Sequence, residues 1–212
     1  MGCAKTKHAE GLKALTTSDK PLVFFVLGGP GSGKGTQCQK MLQHTNNGYV
    51  HLSAGDLLRE EKASGSETAA MINQYIIEGK IVPGEVTVAL MKKAIEKNGW
   101  NKKKYLIDGF PRNRENLEVW QKMMGDIIEV PFVLFREANE DAMIERILER
   151  AKTSGRDDDN MESLKNRFAV FKNESLPVVE FFEKIGKVRS VNALGGIEEI
   201  HSNVKKQFEG FI

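Results

Sequence analysis

The sequence predicts an α/β fold in which helices cover both faces of a doubly wound parallel sheet. Five short apolar, β-rich segments alternate with longer segments of helical periodicity along the 212-residue chain. This alternation is typical of βαβ units, whose strands run parallel. The first strand leads directly into a glycine-rich turn, and ligands of such folds bind at the carboxyl ends of the strands. We therefore expect the functional site at that edge of the sheet.

The predicted strands begin with PLVFFVL, a continuous apolar run typical of a strand buried on both faces. Strands are predicted at 21–27, 49–52, 104–109, 130–135 and 187–192. Helical patterns lie at 34–44, 54–78, 84–98, 114–124, 139–151, 161–185 and 196–209. A unit of this size can bury most of its apolar surface, so we expect residues 21–212 to share one core.

Two segments interrupt the alternation of strands and helices. Residues from about 53 to 83 contain helical patterns without a strand, which predicts a small insertion over the sheet. Residues from about 151 to 161 include AKTSGRDDDN, a polar, glycine-containing stretch between two helices that is typical of a mobile lid. We expect Asp158 and Asp159 to serve closure of this lid; an exposed acidic turn is the alternative.

Charge and cysteine content exclude several classes of protein. Lys and Arg number 31 against 29 acidic residues, a formal charge of +2, which lacks the broad basic field of non-specific nucleic-acid binding. Two cysteines, Cys3 and Cys38, are too few for a disulfide framework or a four-cysteine zinc site, and they indicate a reducing compartment such as the cytoplasm. No apolar run approaches the roughly 20 residues of a membrane-spanning helix.

The first 20 residues are polar and are predicted to form a flexible extension. Their start, MGCAKTK, fits N-myristoylation of Gly2, with Thr6 at the sixth position, and Cys3 is a candidate for palmitoylation. Two acyl chains hold a protein on a membrane more firmly than one. A short pattern of this kind also arises by chance, so an unmodified terminus is the alternative.

GGPGSGKGT, from Gly28 to Thr36, follows the first strand and opens a helix. The spacing of Gly28, Gly33 and Lys34 fits a phosphate-binding loop, in which backbone N–H groups surround phosphate oxygens and the lysine reaches the transferring end. Gly35 stands where many such loops have the Ser or Thr that ligates Mg²⁺, and Thr36 follows it. The loop therefore predicts the binding of nucleotide phosphates, and it departs from the usual pattern only at Gly35, the position of the Mg²⁺ ligand.

A loop with Gly after the Lys resembles that of the nucleoside monophosphate kinases, the adenylate kinase and UMP-CMP kinase group. The resemblance continues in order through HLSAGDLLR, EGKIVP, LIDGFPRN, ERILER, TSGRDDDN and Arg167, and it covers the chain from Pro21 onward. It implies a P-loop NTPase fold with a five-stranded parallel sheet, a monophosphate-binding insertion and a lid. The lid is too short for the zinc-binding form of some adenylate kinases, which places the chain with the short-lid group.

The resemblance implies a role for each arginine of these motifs. Transfer of the γ-phosphoryl group of ATP to another phosphate brings anions together, and planar guanidinium groups grip phosphate oxygens bidentately. By resemblance, Arg59 and Arg112 hold the acceptor phosphate, and Arg150 lies on the ATP side. Arg156 and Arg167 bridge donor and acceptor when the lid closes. The implied catalytic set is Lys34, Arg112, Arg150, Arg156 and Arg167; a solvated surface position is the alternative for any one arginine.

The resemblance assigns ATP to the phosphate loop and to the loop after the last strand. The implied ATP-binding residues are Gly31, Ser32, Gly33, Lys34, Gly35, Thr36, Arg150 and Gly195. Asp108 ends an apolar strand, where a carboxylate needs a cation or hydrogen-bond donors. We expect Asp108 to hold Mg²⁺ through water, in compensation for the missing hydroxyl at Gly35; a structural cap is the alternative.

The acceptor site is predicted from the insertion and from the segment GFPRNREN. By resemblance its residues are Ala54, Arg59, Lys80, Ile81, Val82, Gly109, Arg112, Asn116, Arg156 and Arg167. Ala54 and Asn116 stand where adenylate kinases typically have Thr and Gln, which resembles UMP-CMP kinases. An Asn amide carries a donor and an acceptor, and by rotating it could face either cytosine or uracil.

We therefore expect a monomeric, Mg²⁺-dependent kinase that reversibly transfers the γ-phosphoryl group of ATP to CMP, UMP or dCMP. The nearest alternative is an adenylate kinase that uses AMP. Two further alternatives are a catalytically inactive scaffold and a P-loop switch or motor ATPase, which Gly35 opposes. Cys38 is predicted to be a small core residue, His51 and His201 are predicted to be packed or capping histidines, and Trp120 is predicted to be a packing or surface aromatic.

Overall fold

The computed structural model of the chain describes residues 20–100 and 103–212. The predicted extension over residues 1–20, with the acylation candidates Gly2 and Cys3, lies outside these ranges except for Lys20. Within the described ranges no helix has both the length and the apolar character needed to cross a membrane.

Five parallel strands form one sheet in the order β2-β3-β1-β4-β5. They are β1 (Leu22–Gly28), β2 (Val50–Ser53), β3 (Lys104–Asp108), β4 (Val133–Glu137) and β5 (Val188–Asn192). The chain leaves β1 toward β2 but leaves β3 toward β4, on the opposite side. This reversal opens a crevice at the carboxyl ends of β1 and β3, as the sequence predicted.

Helices surround the sheet. They are α1 (Lys34–His44), α2 (Ala54–Ala63), α3 (Ala69–Ile77), α4 (Gly84–Asn98), α5 (Arg114–Met124), α6 (Glu140–Ser154), α7 (Met161–Val170), α8 (Leu176–Lys184) and α9 (Ile197–Gln207). The segment predicted as one helix over 54–78 is two helices with a break after α2. The segment predicted over 161–185 is continuous, but a π-helical turn, Phe171–Ser175, joins α7 to α8.

The core lies on both faces of the sheet because successive side chains of β1 point in opposite directions. Phe25 packs on the face covered by α4, α5 and α8, and Phe24 packs on the face covered by α1 and α9. Trp120 of α5 and Cys38 of α1 are each 2 % exposed, so their predicted packing roles are confirmed.

Strand β4 differs most from its prediction over 130–135. It begins at Val133, because Pro131 has no N–H for the ladder, and it extends to Glu137. The two added residues change the interpretation of one side chain. Alternation places Arg136 on the same buried face as Leu134, and Arg136 is only 2 % exposed.

Candidate active site

A cleft of about 340 Å³ opens at the carboxyl ends of the central strands. Its walls are the phosphate loop after β1, the insertion that contains α2 and α3, the segment after β3, and the lid segment between α6 and α7. The predicted site residues that line it are Gly31, Gly33, Lys34, Gly35, Thr36, Ala54, Arg59, Lys80, Ile81, Val82, Asp108, Gly109, Arg112, Asn116, Arg150, Arg156 and Arg167. Ser32 and Gly195 lie elsewhere.

The phosphate loop is shaped by glycines in the left-handed region. Gly31 and Gly33 both have φ +79°, and a Cβ at Gly31 would stand 2.3 Å from the carbonyl oxygen of Met143. Lys34 Nζ donates hydrogen bonds to the carbonyl oxygens of Gly28 and Gly29, each at 2.9 Å. The loop and the start of α1 thus surround a space that Lys34 lines.

Several cations are crowded around this space. Burial lowers the pKa of Lys34 to about 7; Asp108 opposes the shift, while Arg112, Arg167 and Arg150 add to it. Burial also lowers the pKa of Arg112 to about 10, with the charge of Arg167 adding to the shift. Mutual repulsion and desolvation of these cations would be relieved by a bound anion. The cleft therefore fits a ligand that carries several phosphate charges.

Arg112 is held from two sides at the end of β3. Its Nε donates to the carbonyl oxygen of Gly109 at 2.8 Å, and its own carbonyl accepts from Ser175 Oγ at 2.8 Å. Gly109 has φ +73°, and a Cβ there would stand 3.3 Å from Arg112 Nη2. The absence of a side chain at Gly109 thus leaves room for the guanidinium group.

The lid acids neutralise two of the predicted arginines. Arg150 makes a bidentate pair with Asp159, at 2.8 Å from Nε and 2.5 Å from Nη2. Arg167 Nη1 lies 2.9 Å from Asp158 Oδ2 and 3.3 Å from Asp159 Oδ1. Burial alone would raise the pKa of Asp159, but hydrogen bonds and charge from Arg150, with help from Ser154, hold that pKa below its ordinary value. Both acids are buried, so the alternative of an exposed acidic turn is wrong.

The lid also touches the insertion across the cleft. Arg156 Nη2 lies 3.3 Å from Asp56 Oδ1 of α2, the carboxylate that also pairs with Arg59. Lys62 Nζ of α2 lies 2.5 Å from Asp157 Oδ2 of the lid. The two segments that interrupt the regular alternation therefore meet over the functional edge of the sheet.

Asp108 lies beside the position at which many phosphate loops carry a hydroxyl group. A Cβ at Gly35 would stand 3.8 Å from Asp108 Oδ2, and the same oxygen lies 2.5 Å from His51 Nε2. The carboxylate and the hydroxyl group of Thr36 in the cleft wall are oxygen donors of the kind Mg²⁺ prefers, so the residues present fit this ion. His51 makes a polar contact that its predicted packing role did not include, whereas His201 is buried beside Gln37 as predicted.

The amide of Asn116 is fixed by its neighbours. Its Oδ1 accepts from the backbone N–H of Arg112 at 3.2 Å, and its Nδ2 donates to Glu115 Oε2 at 2.9 Å. Glu115 is itself held by the backbone N–H of Gly84. Rotation of the amide would bring its NH₂ group, a donor, against the backbone N–H of Arg112, which is also a donor. The prediction that the Asn116 amide rotates to suit cytosine or uracil is therefore wrong for this arrangement. One N–H of Nδ2 remains for a ligand.

Arg136 was missed by sequence reasoning. Its Nη2 donates to the carbonyl oxygen of Ser32 at 3.1 Å, from beneath the phosphate loop. Ser32 is fully buried, and its own N–H donates to the carbonyl oxygen of Gly29 at 3.1 Å, so this residue holds the loop together from inside. The strand was predicted to end at residue 135, so Arg136 was expected to lie just after the strand, where a charged residue is ordinary and gives no signal.

Arg146 was missed as well, although a signal existed. It lies one turn before Arg150 on α6, so ERILER places both arginines on one helix face. Arg146 Nη2 donates to the carbonyl oxygen of Ala193 at 2.8 Å. Gly195, with φ +110°, follows two residues later and outside the phosphate cleft. Arg146 therefore connects α6 to the loop after β5, in which Gly195 is predicted to bind ATP.

Comparisons with known proteins agree with this architecture. The family model described as adenylate kinase matches residues 26–187. UMP-CMP kinase 3 of Arabidopsis thaliana is 53 % identical over 189 residues, which cover 89 % of this chain and 90 % of that protein. UMP-CMP kinase of Homo sapiens is 46 % identical over 194 residues, covering 90 % of this chain and 98 % of that protein. UMP-CMP kinase of Xenopus laevis is 48 % identical, covering 90 % of this chain and all of that protein. The chain belongs to the adenylate kinase family.

Proposed function

We propose that this chain is a nucleoside monophosphate kinase that reversibly transfers the γ-phosphoryl group of ATP to CMP, UMP or dCMP. The observation that carries the proposal is one cleft in which a phosphate loop faces a second wall of arginines. Two phosphate-bearing ligands can therefore bind side by side in this one cleft. The names of the relatives support a pyrimidine acceptor over AMP.

Phosphate charge is the main chemical problem of this reaction, and the cations of the cleft address it. The loop and Lys34 hold the ATP phosphates, while Arg112 and Arg59 hold the phosphate of the acceptor. Arg150, Arg156 and Arg167 then face the group in transfer. The acceptor is already an ionised phosphate, so positioning and electrostatic stabilisation suffice and no general base is needed.

The acids of the lid act as exchangeable partners. Asp158 and Asp159 occupy the guanidinium groups of Arg167 and Arg150, which are the donors that phosphate oxygens would use. Nucleotide binding replaces carboxylate by phosphate at these donors. Closure of the lid also excludes water, which limits wasteful hydrolysis of ATP.

Asp108 and His51 belong to the proposed metal side of the cleft. Mg²⁺, when bound, neutralises charge on the ATP phosphates. Asp108 would hold this ion through water, and the contact with His51 Nε2 fixes the carboxylate. The close approach of Gly35 to Asp108 supports the proposal that the carboxylate compensates for the missing loop hydroxyl.

The fixed amide of Asn116 offers a single explanation for two pyrimidine acceptors. Its remaining Nδ2–H can donate to N3 of cytosine or to O4 of uracil without rotation. Lys80, Ile81 and Val82 line the same part of the cleft and would contact the ribose and base of the acceptor. Gly195 and Arg146 would meet the adenine of ATP.

Initial rates with ATP and each of CMP, UMP, dCMP and AMP test the proposal. We expect CMP and UMP to be phosphorylated much faster than AMP. A rate with AMP far above that with CMP would instead support an adenylate kinase. Slow ATP hydrolysis that no monophosphate accelerates would support the inactive scaffold or the switch ATPase.

We further propose that the protein acts in the cytoplasm as a monomer and is attached to membranes by acylation of Gly2 and Cys3. The support for acylation is the sequence MGCAKTK alone. Intact-mass measurement of the protein from its native cells, beside a Gly2→Ala variant, tests this. A native mass that corresponds to an unmodified terminus would refute it.

A further inference from the structure

Three side chains of the kinds that bind metal ions lie close together beside the cleft. Cys38 of α1, His51 of β2 and Asp108 at the end of β3 each offer one ligand atom, and these atoms all lie within 4.8 Å of one another. Cys38 is 2 % exposed and Asp108 is 8 % exposed. Each side chain projects from a helix or strand, so the fold itself fixes the arrangement.

We propose that Cys38, His51 and Asp108 form an inhibitory site for a zinc-type divalent cation. Thiolate, imidazole and carboxylate are ligands that Zn²⁺ takes, whereas Mg²⁺ takes oxygen ligands. Bonds of about 2.0–2.3 Å to a tetrahedral ion hold ligand atoms roughly 3.3–3.8 Å apart. His51 Nε2 and Asp108 Oδ2, now 2.5 Å apart, must separate by only about 1 Å to admit the ion. A water molecule would complete the coordination.

Gln39 can support His51 in both states. Gln39 Nε2 lies 3.2 Å from His51 Nδ1, an arrangement that assigns the ring proton to Nε2, facing Asp108. When Nε2 binds a metal ion, the ring proton is on Nδ1, and the amide of Gln39 can turn to accept it through Oε1. The thiol of Cys38 loses its proton to solvent as the sulfur–metal bond forms, so one proton is released for each ion bound.

The cluster lies between two open spaces. Gln39 and His51 line a groove of about 570 Å³ beside α2, and Asp108 lines the substrate cleft. The inhibitory effect rests on the proposed function, because an ion that takes Asp108 removes the carboxylate assigned to Mg²⁺. Zinc binding and Mg²⁺-dependent transfer are therefore expected to exclude one another.

Binding is measured on the whole protein without nucleotide, with Co²⁺ as the probe. A cobalt–thiolate bond gives a charge-transfer absorption in the near ultraviolet, and a Cys3→Ser background leaves Cys38 as the single thiol of the chain. We expect this absorption in the Cys3→Ser protein, its displacement by Zn²⁺, and its loss in added Cys38→Ala or His51→Asn variants. Gln39→Met keeps all three ligands and should weaken Co²⁺ binding about tenfold.

The other two histidines of the described residues provide a matched control. His44 and His201 have ring centroids 5.9 Å apart, and replacing both with Asn should leave the absorption unchanged. No thiolate absorption in the Cys3→Ser protein, or its persistence after Cys38→Ala, would overturn the site. Cys38→Val, of larger volume, serves as a second variant if the Ala variant folds poorly.

Inhibition is measured separately in the kinase assay. Cys38→Ala, outside the proposed catalytic set, should keep the basal rate and need at least about tenfold more Zn²⁺ for half-inhibition. Equal sensitivity of both proteins would overturn the inhibitory role. Cobalt binding in a protein without kinase activity would contradict the proposed function but not the site, and activity without cobalt binding would contradict only the site.

Discussion

Replacement of Arg136 with Met is expected to stabilise the fold and to weaken ATP binding at the same time. Arg136 is 2 % exposed, and its Nε and Nη1 have no hydrogen-bond partner among the described residues. Burial lowers its pKa to about 10, the charge of Arg146 adds to the shift, and Cys38 opposes it. No carboxylate of residues 20–100 and 103–212 contributes to this pKa, so the guanidinium is a buried charge without a described counter-charge.

The stability change follows from what the side chain gains and loses. Replacing buried ionic groups by apolar ones of similar volume is often neutral or stabilising by about 1–4 kcal/mol. Loss of the 3.1 Å hydrogen bond to the carbonyl oxygen of Ser32 costs about 1 kcal/mol. The net change lies between about −1 and +3 kcal/mol, and its midpoint, a gain of about 1 kcal/mol, corresponds to a melting temperature roughly 2–4 °C higher for a chain of this length.

ATP binding should change in the opposite direction. The guanidinium lies directly behind the phosphate loop, with Nη2 3.5 Å from the point where a Cβ on Gly33 would stand. Its charge would act on bound phosphates through the protein interior, which screens charges much less than water does. A loss of about 1.4 kcal/mol, or tenfold in affinity, is expected.

Calorimetric melting and ATP titration test both changes on the same samples. Arg136→Lys keeps the charge and should keep most of the ATP affinity. Arg189→Met is the matched control on the neighbouring strand β5, since Arg189 stacks 4.0 Å over the ring of Phe132. That variant should melt lower and bind ATP as before. The reasoning is refuted if Arg136→Met melts lower than the unmodified protein and binds ATP with unchanged affinity.

Three further results are expected. Lys34 should be acylated by an amine-reactive reagent at a rate that is half-maximal near pH 7, because the pKa of Lys34 is lowered to about 7. Bound ATP should protect Lys34 from the reagent. Peptide mapping that shows Lys34 reacting with the pH dependence of an ordinary lysine would contradict this. Asn116→Gln should lower kcat/KM for CMP about tenfold through one lost hydrogen bond and leave the KM for ATP unchanged, and equal effects on both would contradict its role. Lys62→Ala removes the pair with Asp157 and should speed tryptic cleavage between α6 and α7, with a stability loss below about 1 kcal/mol. Glu149→Ala breaks a pair within α6, with Lys152, and should not speed this cleavage.

Much of the fold could be predicted from sequence because its signals are local. The run PLVFFVL and the glycines after it fix β1 and the phosphate loop through apolar continuity and backbone freedom. The placement of Asp108 followed from a carboxylate at the end of an apolar strand, which lies next to β1 in the sheet. The break after α2 had a local signal that the prediction over 54–78 passed over, because residues 64–68, SGSET, contain no apolar residue and Gly65 has φ +71°. The π-helical turn Phe171–Ser175 gave no such signal, since it continues the helix without a glycine or a proline.

The missed contacts depend on neighbours that are distant in the chain. His51 lies in an alternating strand, and nothing local indicates that β2 and β3 are in a register that brings it to Asp108. Arg136 became a buried cation only because β4 extends past Phe135. The orientation of Asn116 was unpredictable for a similar reason, since two neighbouring hydrogen bonds remove the rotation that its chemistry allows.

The pairing of arginines with lid acids links the lid to the phosphate binding that we propose for the cleft. Arg150 and Arg167 share the buried carboxylate of Asp159, so the lid is packed onto α6 and α7 through charges that phosphate must displace. A displaced buried carboxylate needs a new hydrogen-bond donor, so binding of phosphate would have to be accompanied by a rearrangement of the lid segment. Lid position and phosphate occupancy are therefore coupled through competition for the same N–H donors.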